Sequence, residues 1–209
     1  MLDSLAWDEG DVGVGRYKAD IAGGALKLAE SRRIAALLLQ GVGAEEWQRK
    51  IETENILQKT SPSTARRQAS LIRSRLTTMD AKIWRIVAEG PARAATHALF
   101  AAAIKHSALF ADFLPIVRER FRVYKTDLPR RVWVDYVERC RDVDPKMPEW
   151  KTSTIDKLGD SAYRILQEAG FLAEGRGNIL RPVLIAPTVL AALHDAGEFD
   201  VLQRIQVSS

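Results

Sequence analysis

The apolar residues of this chain recur every three or four positions over most of its length, which is the spacing of one helix face. Helix boundaries are marked as well, because Pro62 follows Ser61 in the order of a first helical residue after an N-cap. The pattern predicts helices over residues 23–40, 44–57, 62–77, 79–89, 91–106, 107–121, 150–170, 187–195 and 199–206, and another that begins at Pro129. We therefore expect a mainly α fold.

The pattern changes after Gly170. The segment "FLAEGRGNILRP" (residues 171–182) has two short extended pieces around a Gly-Arg-Gly turn. A helix that runs into a small hairpin is typical of the recognition helix and wing of a winged helix-turn-helix. We predict an N-terminal multi-helix domain over residues 1–125 and a small winged-helix-like domain with a short β-hairpin over residues 126–209.

The composition is that of a soluble globular protein, with 46% hydrophobic and 28% charged residues. Cys140 is the single cysteine, which excludes an internal disulfide and fits a reducing compartment. The acidic N-terminus lacks the order of a secretory signal. The longest apolar runs, 34–39 and 98–104, are far shorter than the roughly 20 residues that cross a bilayer. We expect a cytoplasmic protein with no membrane contact.

The charge is unevenly distributed along the chain. Residues 61–151 hold 18 basic and 10 acidic residues, a net charge of +8. Residues 1–60 and residues 152–209 each carry −2, from 8 basic and 10 acidic residues and from 5 and 7. A basic middle between two mildly acidic ends suggests a polyanionic partner.

The predicted helix 62–77 carries the first candidate surface. Ala65, Ala69, Ile72 and Leu76 recur on one narrow face, which we expect to be buried while arginines beside it reach outward. Arginine presents a planar fork of donors that matches phosphate oxygens. The alternative is a solvated face whose arginines pair with acids from other helices. Local pairing is disfavoured because no acidic residue occurs between Glu54 and Asp80.

A second basic stretch, "VRERFRVYKTDLPRRVW" (residues 117–133), interleaves charge with aromatic residues. Such a combination can hold a nucleic-acid backbone and stack on exposed bases. The alternative is that Phe121 and Tyr124 are core residues joining two domains. We favour the core for these two rings and nucleic acid for the charges.

The winged-helix-like segment presents a third, weaker candidate. Its basic residues include Lys151, Lys157 and the wing residue Arg176, but Asp156 and Asp160 lie on the same helix. Those carboxylates should weaken docking on a polyanion, since a duplex carries one charge per ~1.7 Å. Winged helices also serve as protein-interaction folds, and both interpretations stay open.

No complete catalytic constellation is present. The three histidines lack metal-ligand spacing and have no cysteine partners. Glu149 and Lys151 resemble half of a nuclease motif, but they lie in a proline-broken loop rather than on adjacent strands. We expect no catalytic residue, metal, cofactor or small-molecule substrate, and hence no enzyme.

Three segments, "ENILQKTSPSTARRQASLIRSRL", "LFADFLPIVRER" and "WKTSTIDKLGDSAYRILQEAGFL", occur in this order. Together they resemble the BrxA family of bacterial BREX bacteriophage-defence clusters, over about residues 17–193. The resemblance implies a DNA-binding, non-enzymatic component of a system that also contains a DNA methyltransferase, an ATPase and a phosphatase-like protein. Other BREX proteins are the partners that it implies.

We predict DNA binding through backbone electrostatics, to a duplex and with low sequence specificity. A protein-interaction adaptor of the defence complex and a winged-helix transcriptional regulator are the alternatives. The candidate DNA-binding residues are Lys59, Arg66, Arg67, Arg73, Arg75, Arg118, Arg122, Lys125, Arg130, Arg131, Lys151, Lys157 and Arg176.

Overall fold

The computed structural model describes residues 15–175 and 177–208 and is mainly helical. The last turn of α2 continues into a π-helical turn, Arg49–Thr53. The helices are α1 Leu28–Gln40, α2 Ala44–Gln48, α3 Pro62–Leu76, α4 Ala81–Glu89, α5 Ala92–His106, α6 Ala108–Arg122, α7 Arg130–Val143, α8 Thr152–Glu168, α9 Pro187–Asp195 and α10 Phe199–Ile205. The mainly α prediction is confirmed.

Local chemistry explains where several helices begin. The hydroxyl of Ser61 accepts the backbone N–H of Thr64 at 3.3 Å, and Pro62 is the first residue of α3. The carboxylate of Asp80 caps α4 in the same way, accepting the N–H of Ile83 at 3.1 Å. These side chains satisfy backbone donors that have no partner inside the helix.

The predicted helix 44–57 is shorter in the structure. It ends after the π-helical turn, and Asn55 and Gln58 both have left-handed backbone conformations, with φ of 47° and 53°. The Asn55 side chain bonds the backbone of Lys59 through both its oxygen and its nitrogen. Asparagine tolerates this conformation and competes locally for backbone groups, which ends the helix.

Helix α5 lies at the centre of the molecule and is buried almost throughout. It packs against α1, α3, α4 and α6, and the direction of the chain changes by 114° between α5 and α6. Phe100 meets Phe110 of α6 and Phe171 beyond α8, with ring centroids 5.8 Å and 5.4 Å apart. These contacts join the two halves of the chain.

The last two helices return to the first half. α9 packs against α4 and α5, and α10 packs against α5 and α6. Buried side chains from before and after residue 125 belong to one hydrophobic cluster. The division into residues 1–125 and 126–209 stays a prediction.

The winged helix with a β-hairpin is not confirmed, because no sheet forms within residues 15–175 and 177–208. Extended backbone there makes two isolated antiparallel bridges, Asp127–Ile179 and Leu172–Leu180. Each is a single bridge rather than a run of paired residues. Pro182 follows at once and has no N–H with which to continue the ladder.

No single helix in the described part of the chain has the length and apolar character needed to cross a membrane. α5 and α6 meet that test only when taken together, across the 114° bend between them.

Candidate nucleic-acid interface

Helix α3 is anchored as its sequence predicts. Its buried residues include Ala65, Ala69, Ile72 and Leu76, all at most 2% exposed. Arg66, Arg67 and Arg73 are exposed on the same helix. The apolar stripe holds α3 against α1 and α5, so that its basic side chains project from a fixed backbone.

On one flank of α3, two arginines already have partners from the preceding segment. Arg66 pairs with Glu52 at 3.1 Å, and the Arg73 guanidinium lies 4.4 Å from the ring centroid of Trp47. With Ser70 these side chains line a cleft of about 410 Å³. The exposed ion pair contributes little to stability, but the stacked ring fixes the guanidinium plane of Arg73.

On the other flank, a second cleft of about 630 Å³ lies between α3 and the loop before α1. Lys27 and Arg67 line it, together with the small polar residues Ser70 and Ser74. Ser70 contributes to both clefts, so this exposed part of α3 forms a ridge between the two clefts, each of which is lined by basic side chains.

Arg75 does not belong to this surface. Arg75 is only 4% exposed, and its Nη1 donates to the carbonyl of Ala25 at 3.1 Å. Burial lowers the pKa of Arg75 to about 10, partly offset by Asp20 and Glu168. The side chain turns inward because the loop at Gly24 packs over this end of α3. The prediction that Arg75 contacts phosphate is therefore wrong.

Lys59 is also engaged within the protein. Its ammonium group pairs with Glu30 at 2.5 Å, and its side chain is 20% exposed. The pair fastens the segment before α3 to α1, which makes Lys59 a poor candidate for a phosphate contact.

The second basic stretch divides into engaged and exposed residues. Arg118 donates to the carbonyl of Gln203, and Arg130 pairs with Asp160 and stacks on Tyr163, with 4.5 Å from its guanidinium to the ring centroid. These two arginines hold helices together.

Arg122, Lys125 and Arg131 stay exposed. Two of them form exposed ion pairs on their own helices, Arg122 with Glu119 at 3.4 Å and Arg131 with Asp135 at 3.6 Å. Such pairs are weak and can exchange for phosphate.

The two rings of this stretch have different environments. Phe121 is half-buried and packs against the core. Tyr124 is 92% exposed, so its assignment to the core is wrong. Its backbone φ of 54° turns the chain at the end of α6 and directs the ring away from the protein.

Helix α8 presents mixed charge. Lys151, at its N-terminal boundary, and Lys157 are exposed, and so are Asp156 and Asp160. Arg176 lies outside the described residues. A polar cleft of about 350 Å³ between α8 and the extended pieces is lined by residues that include Arg164, Gln167 and Asn178.

Four residues that line these clefts carry no local signal in the sequence: Lys27, Trp47, Gln167 and Asn178. Trp47 is half-buried and supports Arg73 from 26 positions away. Partners so far apart in the chain meet only through tertiary packing.

The described residues contain no group of three His, Cys, Asp or Glu side chains placed to hold a metal ion. His97 accepts the backbone N–H of Ala186 through Nδ1 at 3.0 Å, and burial lowers its pKa. Burial raises the pKa of the Cys140 thiol. His97 and Cys140 are therefore both enclosed in the packed interior.

Comparison with known proteins gives a consistent result. A family model described as BrxA matches residues 15–197. A protein of Paramagnetospirillum magneticum called BREX protein BrxA is 50% identical over 194 residues, which cover 92% of this chain and 98% of that protein. A protein of the same name from Escherichia coli is 36% identical over 188 residues, covering 90% and 88%.

A solved structure is similar as well. The crystal structure of an uncharacterized protein from Magnetospirillum magneticum superposes with a TM-score of 0.86 at 48% identity, covering 92% of this chain and all of that one. At this identity the helical arrangement is shared over nearly the whole length.

Proposed function

Because this chain belongs to the BrxA family, whose members are components of BREX bacteriophage-defence systems, we propose that it is the DNA-binding, non-enzymatic member of such a system. The resemblance drawn from three segments of the sequence is confirmed by the family match over residues 15–197. Other BREX proteins are the partners within this proposal, and the cytoplasm is its compartment.

The observation that carries the proposal is the α3 ridge. A helix with no acidic residue is held by a buried apolar stripe and exposes Arg66, Arg67 and Arg73 beside two grooves. An array of arginines on a rigid backbone can contact successive phosphates without first ordering a loop. Arg122, Lys125 and Arg131 supply further exposed charge.

The mechanism within this proposal is electrostatic. Each phosphate neutralised releases condensed counterions, so affinity falls steeply with salt and depends little on sequence. If about six phosphates are contacted, affinity should fall roughly a thousandfold between 50 and 200 mM salt. The exposed Asp156 and Asp160 on α8 argue against that helix as the main reader of bases.

The order of elements nevertheless supports a winged-helix-like second half as part of the proposal. The bridge at Asp127 lies between α6 and α7, and the bridged residues Leu172 and Leu180 follow α8. Helix, strand, helix, helix and hairpin is the order of a winged helix, reduced here to single bridges. Lys151 and Lys157 would be its contacts with DNA.

Charge reversal on α3 tests the DNA proposal. Arg67→Glu/Arg73→Glu replaces two attractive phosphate contacts by repulsive ones, so affinity for an unrelated duplex should fall about 10- to 100-fold at low salt. The slope of log affinity against log salt should become shallower by about 1.8. Fluorescence anisotropy over a salt series measures both.

Arg85→Glu/Arg139→Glu is the matched control, since both arginines are exposed, lie outside the candidate set and change the net charge equally. It should lower affinity far less than the α3 variant. Equal losses in the two variants would remove α3 from the interface, and no binding of any duplex or single strand by the parent at low salt would overturn DNA binding itself.

The adaptor alternative gives a different result in the same assay. A basic surface made for an acidic protein would leave the purified chain unable to bind an unrelated duplex at low salt. The regulator alternative predicts a strong preference for one promoter fragment over random DNA of equal length.

A further inference from the structure

Three helices in the described part of the chain end in the same backbone motif. After α8, Gly170 donates to Gln167 O and Phe171 donates to Leu166 O; after α9, Gly197 donates to His194 O and Glu198 to Leu193 O. After α6, Tyr124 donates to Phe121 O and Lys125 to Arg120 O. Each motif places one residue in the left-handed conformation, with φ of 91°, 70° and 54°.

Glycine takes that position in α8 and α9, and a tyrosine takes it in α6. A left-handed backbone strains any residue with a Cβ, and an aromatic residue is among the least suited to it. Such strain is retained where the side chain has a function or where the surrounding structure compensates for it. Packing inside the protein does not compensate for the strain at Tyr124, because Tyr124 is 92% exposed.

The surroundings of Tyr124 are basic and firmly held. Arg122 and Lys125 are exposed on either side of it, and the neighbouring Val123 is 50% exposed. Just beyond, Thr126 accepts the backbone N–H of Leu180 at 2.9 Å, which ties this turn to the segment after α8. The ring therefore projects from a fixed turn between two cations, and both of its faces are accessible.

We propose that Tyr124 is a stacking residue for an unpaired nucleobase, with Arg122 and Lys125 on the phosphates either side of that base. Binding of an unpaired base requires one open aromatic face, together with cations spaced along the phosphates of its strand. This turn supplies both. An apolar pocket of a partner protein would require a wider apolar rim, whereas Val123 is the one apolar neighbour among residues 122–126. The inference rests on the proposed DNA binding and adds a preference for unpaired strands to it.

The test compares two variants on two DNA ligands. Tyr124→Gly keeps the turn, since glycine adopts the left-handed conformation freely, and removes the ring. Tyr124→Phe keeps the ring and the strain, and serves as the matched control. The ligands are a blunt duplex and a single strand of the same sequence carrying one 2-aminopurine, whose fluorescence reports stacking.

The parent and Tyr124→Phe should quench the 2-aminopurine on binding, and Tyr124→Gly should not. Affinity of Tyr124→Gly for the single strand should fall about 5- to 150-fold, the equivalent of stacking one base. Its affinity for the blunt duplex should match that of the parent. Its thermal midpoint should be at or above that of the parent, because the backbone strain is gone.

Each other result is decisive. Unchanged single-strand affinity in Tyr124→Gly, with duplex binding intact, overturns the stacking proposal and leaves DNA binding standing. Failure of the parent to bind either ligand overturns both. Loss of a BREX protein contact in Tyr124→Gly, with affinity for both DNA ligands unchanged, would assign the ring to a protein interface instead.

Discussion

Arginines of helix α3 have opposite environments although they lie within one short stretch. Arg67 is exposed, whereas Arg75 is buried with its Nε and Nη2 lacking hydrogen-bond partners among the described residues. A buried guanidinium that is still charged at neutral pH is costly unless neighbouring acids compensate it, and Asp20 and Glu168 supply that field.

Reversing the charge of these two arginines should therefore have very different effects. Arg75→Glu places a carboxylate in the field of Asp20 and Glu168 and should lower the free energy of unfolding by about 3 kcal/mol or more. Arg67→Glu should change it by about 0.5 kcal/mol or less, as exposed substitutions do. Urea unfolding measures both, and equal midpoints would contradict the burial of Arg75.

The sequence could not separate these residues. Helical periodicity placed the stripe from Ala65 to Leu76 correctly, but it grouped the buried Arg75 with the exposed arginines beside that stripe. Whether a flank residue faces solvent depends on what packs over it, here the loop at Gly24. Tyr124 was misplaced for a related reason, since its position follows from a helix end in an unusual backbone conformation.

At the scale of elements, the contact between α7 and α8 depends on one glycine. A Cβ on Gly159 would lie 2.7 Å from the indole of Trp133, closer than side chains tolerate. Trp133 is 2% exposed, and its Nε1 donates to the carbonyl of Ile155 at 3.0 Å. The ring therefore has no room to move away.

Gly159→Ala should destabilise the protein although alanine favours a helix. Overpacking a core costs about 1–3 kcal/mol, against about 1 kcal/mol gained in helix propensity, so the net loss should be about 1 kcal/mol. The loss should shrink in a Trp133→Leu background, where the smaller side chain leaves space for the methyl group. Thermal unfolding of the four variants measures this coupling, and an unchanged loss would show that the ring does not limit the approach.

Element boundaries were predicted well where the chain itself marks them. Ser61 with Pro62, and Gly170, identify helix ends through their own chemistry. The hairpin was less predictable, because bridges at Leu172 and Asp127 require two distant segments to meet. The domain division and the DNA contacts also depend on how distant segments of the chain meet, and both stay predictions.

At the scale of the whole molecule, one carboxylate joins three parts of the chain. Asp112 of α6 accepts Arg16 Nη2 at 2.7 Å, the Tyr17 hydroxyl at 3.0 Å and Arg204 Nη1 of α10 at 2.8 Å. The side chains of Asp112 and Arg204 are only 19% and 21% exposed, so water cannot readily replace these bonds.

Asp112→Asn should lower the free energy of unfolding by about 2 kcal/mol, because two arginines lose a charged acceptor. Asp200→Asn is the matched control, since Asp200 also pairs with Arg204, at 2.9 Å, but is 71% exposed. It should cost about 0.5 kcal/mol or less. Equal losses from the two substitutions would contradict a joining role for Asp112.

The return of α9 and α10 onto the first half also has a consequence for synthesis of the chain. A ribosome completes α5 well before it begins α10, and at about 5–20 residues per second the interval is about 5–20 seconds. During that time the faces of α5 and α6 that α10 covers have only solvent or a chaperone against them. Folding of the central helices therefore finishes only after their last partners have been translated. A nascent chain stalled before residue 187 would expose apolar side chains that are buried in the finished protein.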